Sequence, residues 1–143
     1  MTDTLTTERR SWLMSRVRSR NTTPEMVVRR LLFREGYRFR LHRKDLPGSP
    51  DIVLPRLRTV VFVHGCFWHR HPECAKATMP KTRVDFWSEK FAQNVRRDEA
   101  NRTQLDEMGW RSIVIWECET KSPTTLLQRL VRELEQYEFD EAG

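Results

Sequence analysis

Apolar positions recur along this chain with two periods, and the switches between them predict its elements. Thr23-Pro24-Glu25 is a helix start: a capping hydroxyl, a proline at the first position and an acid in the first turn. Val27, Val28, Leu31 and Leu32 follow at helical spacing, and Gly36 ends the helix. Tyr37 to Leu41 alternates apolar with Arg, which predicts a half-buried strand. Pro47-Gly48-Ser49-Pro50 is a turn, and Asp51 to Leu54 reads as a short strand after it. Thr59 to Val63 is nearly continuous and β-branched, so it is predicted as the central strand. Gly65 to Pro80 has no period. Thr82 opens a long helix, with Asp85 as its capping-box partner, running to about Met108 and stopped by Gly109. Arg111 to Trp116 is another strand. Ser122-Pro123 caps a last helix through Leu126, Leu127, Leu130, Val131 and Leu134. The order α-β-β-β-α-β-α predicts an α/β fold, a mixed sheet with helices on both faces in a three-layer α/β/α core.

Composition sharpens this picture. The length of 143 residues suits one core, taken here as residues 21–143, preceded by a basic arm or helix over residues 1–20. Residues 1–44 hold 12 Lys+Arg against 4 Asp+Glu, whereas the rest of the chain is slightly acidic. A one-sided basic excess fits a polyanion partner, or a solvated face with no partner. The first ten residues are polar and lack the apolar run of a secretory leader, and no segment approaches the roughly 20 apolar residues of a membrane span. The expectation is a cytoplasmic protein without membrane contact. Three cysteines, an odd number, argue against a closed disulfide framework and leave metal binding or buried thiols.

The chemistry concentrates between Pro50 and Cys74. Asp51, at the head of a strand beside a tight turn, is a hard oxygen ligand for a divalent cation, or a plain turn cap. The next strand delivers His64, and the loop after it delivers His69. Restriction-type nucleases usually carry an acid and a lysine on that second strand. Here Phe62-Val63-His64 stands there instead, so a histidine, whose pKa lies near working pH, is the candidate base. Asp98 shares a helical face with Phe91 and Val95 and needs a partner, either an arginine or a catalytic histidine. Glu25 either serves the helix dipole or joins the site.

Cys66, His71 and Cys74, with Cys118 just past a strand, could make a tetrahedral Cys3His zinc site, or remain free thiols. Phe67 and Trp68 in the loop, and Trp87 at the start of the long helix, could wedge between base pairs or form an apolar plug around the metal.

Several motifs together carry a family resemblance. They are Leu46-Pro47-Gly48 with Pro50-Asp51, the run Val63-His64-Gly65-Cys66-Phe67-Trp68-His69 with His71, Phe86-Trp87 with Lys90, Asn94-Val95 and Arg97-Asp98, and Gly109-Trp110-Arg111 with Trp116-Glu117-Cys118. Over nearly the whole chain this resembles the very short patch repair endonucleases, bacterial enzymes that nick DNA at T:G mismatches left by deamination of 5-methylcytosine. The resemblance implies a restriction-endonuclease-like core with a structural Zn²⁺ on Cys66, His71, Cys74 and Cys118. It implies a catalytic Mg²⁺ on Asp51 and the backbone carbonyl of Val63, where the family pattern has threonine. His69 would be the base, supported by Asp98, with His64 and Glu25 as further active-site residues. Phe67, Trp68 and Trp87 would intercalate beside the mismatch. The partner would be double-stranded DNA with a T:G mismatch, bound by a nucleoid-associated monomer, with mismatch-repair proteins as candidate partners. Two other classes remain open on the residues alone. One is a restriction or nicking enzyme without mismatch preference, the other a non-catalytic zinc-stabilised DNA-binding module.

Overall fold

The computed structural model describes residues 21–142, and of residues 137–142 the backbone alone. The expected basic arm at residues 1–20 therefore lies outside the described residues. Helix α1 spans Thr23–Arg34, strand β1 Arg40–Leu41, β2 Ile52–Leu54 and β3 Thr59–His64. Helix α2 spans Val84–Glu107, strand β4 Arg111–Trp116 and helix α3 Pro123–Ala142. The sheet runs β1-β2-β3-β4. The first two pairings are antiparallel and β3 with β4 is parallel, so the sheet is mixed.

The sheet separates two cores. On one face Val28, Leu31 and Leu32 of α1 and Leu126, Leu130 and Leu134 of α3 pack on Ile52, Leu54, Val61, Ile113 and Ile115. On the other face Val53, Val60 and Phe62 meet Leu46, Trp110 and Leu105 of α2. Two helices below and one above give the predicted three layers. Strand β3 is the central one for the expected reason: Thr59 to Phe62 are all buried, which its unbroken β-branched run makes favourable.

Two local expectations are corrected. The strand foreseen over Tyr37–Leu41 pairs only at Arg40 and Leu41, opposite Val53 and Ile52. Its neighbour β2 is three residues long, so Tyr37 and Phe39 pack against the core with no ladder beside them. The capping box of Thr82 and Asp85 does not form either. The cap of α2 is Arg83, at φ 51°, whose side chain makes no capping hydrogen bond to the helix, and this left-handed residue turns the chain sharply into the helix. Asp85 keeps only its favourable place in the first turn.

Helix α2 is what opens the site. It buries Trp87 and Phe91 near its start and Leu105 near its end. Between them its inner face is polar, with Asn94, Asp98 and Asn101 lining a cleft. A helix anchored at both ends and polar in the middle cannot collapse onto the sheet without burying unpaired polar groups.

Leu130→Ala, at a fully buried position where α3 meets the sheet, is expected to cost roughly 2–5 kcal/mol in urea unfolding. Phe33→Ala, on a side chain 76% exposed, is expected to change stability by no more than about 0.5 kcal/mol.

Candidate active site

The cleft has a volume of about 1000 Å³ and runs between α2 and the ends of β2 and β3. Asp51 stands at its floor. The β2–β3 ladder stops at Ile52 opposite Val61, and beyond it Val63 donates its N–H to Asp51 Oδ2 at 2.7 Å. The preceding turn is held down by Gly48, at φ +77°, where an added Cβ would lie 2.9 Å from Asn101 Nδ2. A side chain there would be strained by the positive φ and would crowd Asn101 and Phe62, so glycine lets the turn approach α2 closely. Burial raises the Asp51 pKa to about 6, against the pull of the Val63 N–H; Glu25 raises it further, while His42 and His69 lower it.

Glu25 is 1% exposed, which a role confined to the helix dipole does not require. Its carboxylate accepts from the Asn21 N–H at 3.2 Å, lies 3.4 Å from Arg29 Nη1, and meets His42 Nε2 at 2.9 and 3.1 Å. Glu25, His42 and Asp51 bring ligand atoms within 4.8 Å of one another. His42 escaped the sequence reading. Its only signal was a lone histidine directly after an alternating strand, and its partner Glu25 lies 17 residues earlier.

Across the cleft, the partner of Asp98 among the described residues is a histidine: His69 Nδ1 lies 2.7 Å from Asp98 Oδ2. The carboxylate acts as acceptor, so the proton sits on Nδ1 and Nε2 is the basic nitrogen. His64 stacks on His69, with centroids 3.8 Å apart and planes 7° from parallel. Burial, reinforced by the neighbouring His69, lowers the His64 pKa to about 3. His64 is therefore a neutral ring at working pH, fit to brace His69 but not to donate as an imidazolium.

Behind this wall the irregular segment folds on itself. Left-handed turns at Arg70 and Glu73 reverse the chain. The Arg70 guanidinium donates to the carbonyls of Phe67, Ala77 and Thr78. Cys66, His71, Cys74 and Cys118 bring their donor atoms within 4.8 Å of one another, with His71 Nδ1 3.7 Å from Cys66 Sγ and 3.4 Å from Cys118 Sγ. Three sulfurs and one imidazole at such spacing fit a tetrahedral Zn²⁺ with bonds of about 2.0–2.3 Å. No disulfide uses these thiols. Burial, reinforced by the Cys118 and Cys74 thiols beside it and opposed by a backbone hydrogen bond at Cys118, pushes Cys66 up to about 12, so a cation is what would keep it a thiolate.

The three aromatic residues pack together beside the cleft. The Phe67 and Trp68 rings lie 5.1 Å apart, and each faces Trp87, at 6.5 and 6.1 Å. Phe67 and Trp68 are half-buried and line the cleft, whereas Trp87 is 3% exposed beneath them. Asn94 Nδ2 donates to the Trp68 carbonyl at 3.1 Å and fixes the pair to α2. Lys44, Lys90, Arg97 and Arg102 add positive charge to the cleft lining. The structure thus gathers all the residues singled out from the sequence at the cleft or directly behind it. Among the described residues no helix is long and apolar enough to cross a membrane.

A family model described as "DNA mismatch endonuclease Vsr" matches residues 2–76. A type II nicking enzyme of Xanthomonas oryzae pv. oryzae is 55% identical over 130 residues, covering 91% of this chain and 95% of that protein. A type II nicking enzyme of Neisseria meningitidis is 47% identical over 137 residues, covering 94% and 97%. The DNA mismatch endonuclease Vsr of Escherichia coli is 40% identical over 124 residues, covering 87% of this chain and 79% of that protein. With a family match over half its length and such relatives along nearly all of it, the chain belongs to the DNA mismatch endonuclease Vsr family.

Proposed function

We propose that this protein nicks one strand of duplex DNA on the 5′ side of the thymine in a T:G mismatch, with Mg²⁺ held by Asp51 and the Val63 carbonyl. The observation that carries the reading is a carboxylate and a carboxylate-bound histidine facing one positively lined cleft: Asp51 on one side, His69 with Asp98 at 2.7 Å on the other. Binding alone does not require that pair. When bound, Mg²⁺ supplies charge stabilisation to the reacting phosphate and lowers the pKa of a bound water.

The remaining tasks fall to the chain itself. His69 Nε2 takes or gives the proton, and Asp98 holds its ring and stabilises the imidazolium that forms. Neutral His64 keeps the His69 ring in plane by stacking. Lys44, Lys90, Arg97 and Arg102 draw the phosphate backbone into the cleft. Zn²⁺ on Cys66, His71, Cys74 and Cys118 would pin the loop that carries His69 and the aromatic rings to the end of β4. Phe67 and Trp68 would enter the base stack, with buried Trp87 as their support. A wobble pair costs less to distort than a matched pair, so a wedge favours the mismatch.

A second reading has its own observation. The three rings pack on one another and on Phe91 as an apolar plug would, and two of the relatives named above are type II nicking enzymes. On that reading the enzyme nicks without mismatch selection. Trp68→Ala separates the two. The wedge predicts that the variant loses most of its preference for a T:G over a T:A duplex in a nicking assay. An unchanged preference would leave the rings as packing only.

Asp51 gives a prediction with two signs. Its folded-state pKa is raised, so the ionised form costs stability, and that cost appears as pH rises from about 4 through about 6. Asp51→Asn should melt higher than the wild type at about pH 8 without added divalent cation, and the gap should close toward about pH 4. The same variant should show no Mg²⁺-dependent nicking. Retained nicking would remove Asp51 from the metal site.

A further inference from the structure

One side chain in the cleft has no part in the reading above. His42 follows β1 in a left-handed conformation, at φ 50°. Its N–H donates to the Asp51 carbonyl at 3.1 Å, which fixes the residue beside the proposed cation ligand. Its Nε2 points at both oxygens of Glu25, at 2.9 and 3.1 Å, and Glu25 is almost fully buried. The ligand atoms of the three residues lie within 4.8 Å of one another, although they come from α1, from the turn after β1 and from the start of β2.

Glu25 has partners besides His42. Arg29 Nη1 at 3.4 Å and the Asn21 N–H at 3.2 Å already face its carboxylate. The imidazole is therefore able to exchange its Glu25 contact for a shared ion. In that exchange the ring proton moves to Nδ1, the Nε2 lone pair turns to the cation, and no proton is lost. Two carboxylates and an imidazole offer oxygen and nitrogen ligands to such an ion, while Arg29 keeps its contact with Glu25. The donor set also has a preference. Mg²⁺ wants oxygen throughout, whereas an imidazole favours later divalent ions.

We propose that His42 is a protein ligand of the cation held at Asp51, joined by Glu25, so that the site is a mixed nitrogen–oxygen site preferring Mn²⁺ to Mg²⁺. This rests on the reading of Asp51 as a cation ligand, and the controls keep the two separable. The purified full-length protein is titrated with Mn²⁺ and followed by electron paramagnetic resonance. Mg²⁺ affinity is read by competition, and pulsed spectra report any directly bound ¹⁴N. The wild type should show nitrogen coupling and bind Mn²⁺ more tightly than Mg²⁺. His42→Gln keeps a hydrogen-bond donor for Glu25. It should lose the coupling and about tenfold in Mn²⁺ affinity, with Mg²⁺ affinity nearly unchanged and the zinc content retained. His42→Asn takes its place if the glutamine variant does not fold. A wild type without nitrogen coupling overturns the proposal, and so does coupling that survives His42 substitution. Equal loss for both ions would make His42 a positioning residue for Glu25 and overturn it too. In Asp51→Asn, Mn²⁺ binding with the His42 coupling intact would sink the Asp51 reading and leave His42 a ligand.

Discussion

The site depends on the place where β2 and β3 part. There the Val63 N–H leaves the ladder and binds the Asp51 carboxylate at 2.7 Å. The contact fixes a buried acid at the floor of the cleft and offsets part of the burial that raises its pKa to about 6. It also sets the direction of everything downstream. One residue beyond Val63, β3 ends at His64, and the chain enters the loop that carries Cys66, Phe67, Trp68, His69 and His71.

That loop has no apolar core of its own, and its shape comes from three other sources. Arg70 gathers three of its carbonyls. The Cys3His cluster joins it to Cys118 after β4, and His71 stacks on Trp116 at 4.3 Å. Parallel pairing of His64 with Trp116 sets both strand ends level, which lets one cluster span them. Helix α2 closes the far side. Asp98 holds His69 and Asn94 holds Trp68, so the proposed base and the proposed wedge are positioned by the polar middle of a single helix.

How far the sequence told this depended on whether the determinant was local. Arg111–Trp116 and the buried run of β3 were legible because β-branched residues in an unbroken apolar stretch define a strand without reference to a partner. The strand foreseen from Tyr37 was shortened because its ladder depends on β2, whose three residues end at Leu54, before Pro55. The missing capping box depended on the left-handed Arg83, a conformation that no residue type there announces. Helical spacing turned Asp98 inward but could not name its partner, since His69 arrives from a loop with no period. His42 was hidden for the same reason, because a turn brings it back to an acid on another element. The four zinc-type ligands were visible as residue types, and the fold added that they meet.

The proposed activity of this cleft is cutting of one strand at a mismatch. It is tested most directly by single-turnover nicking in Mg²⁺ of two end-labelled duplexes identical except for one pair, T:G in one and T:A in the other. The expected result is a single cut 5′ to the mismatched thymine, an intact complementary strand, and a much slower reaction on the T:A duplex. Equal rates on the two duplexes, or cutting of both strands, would contradict it.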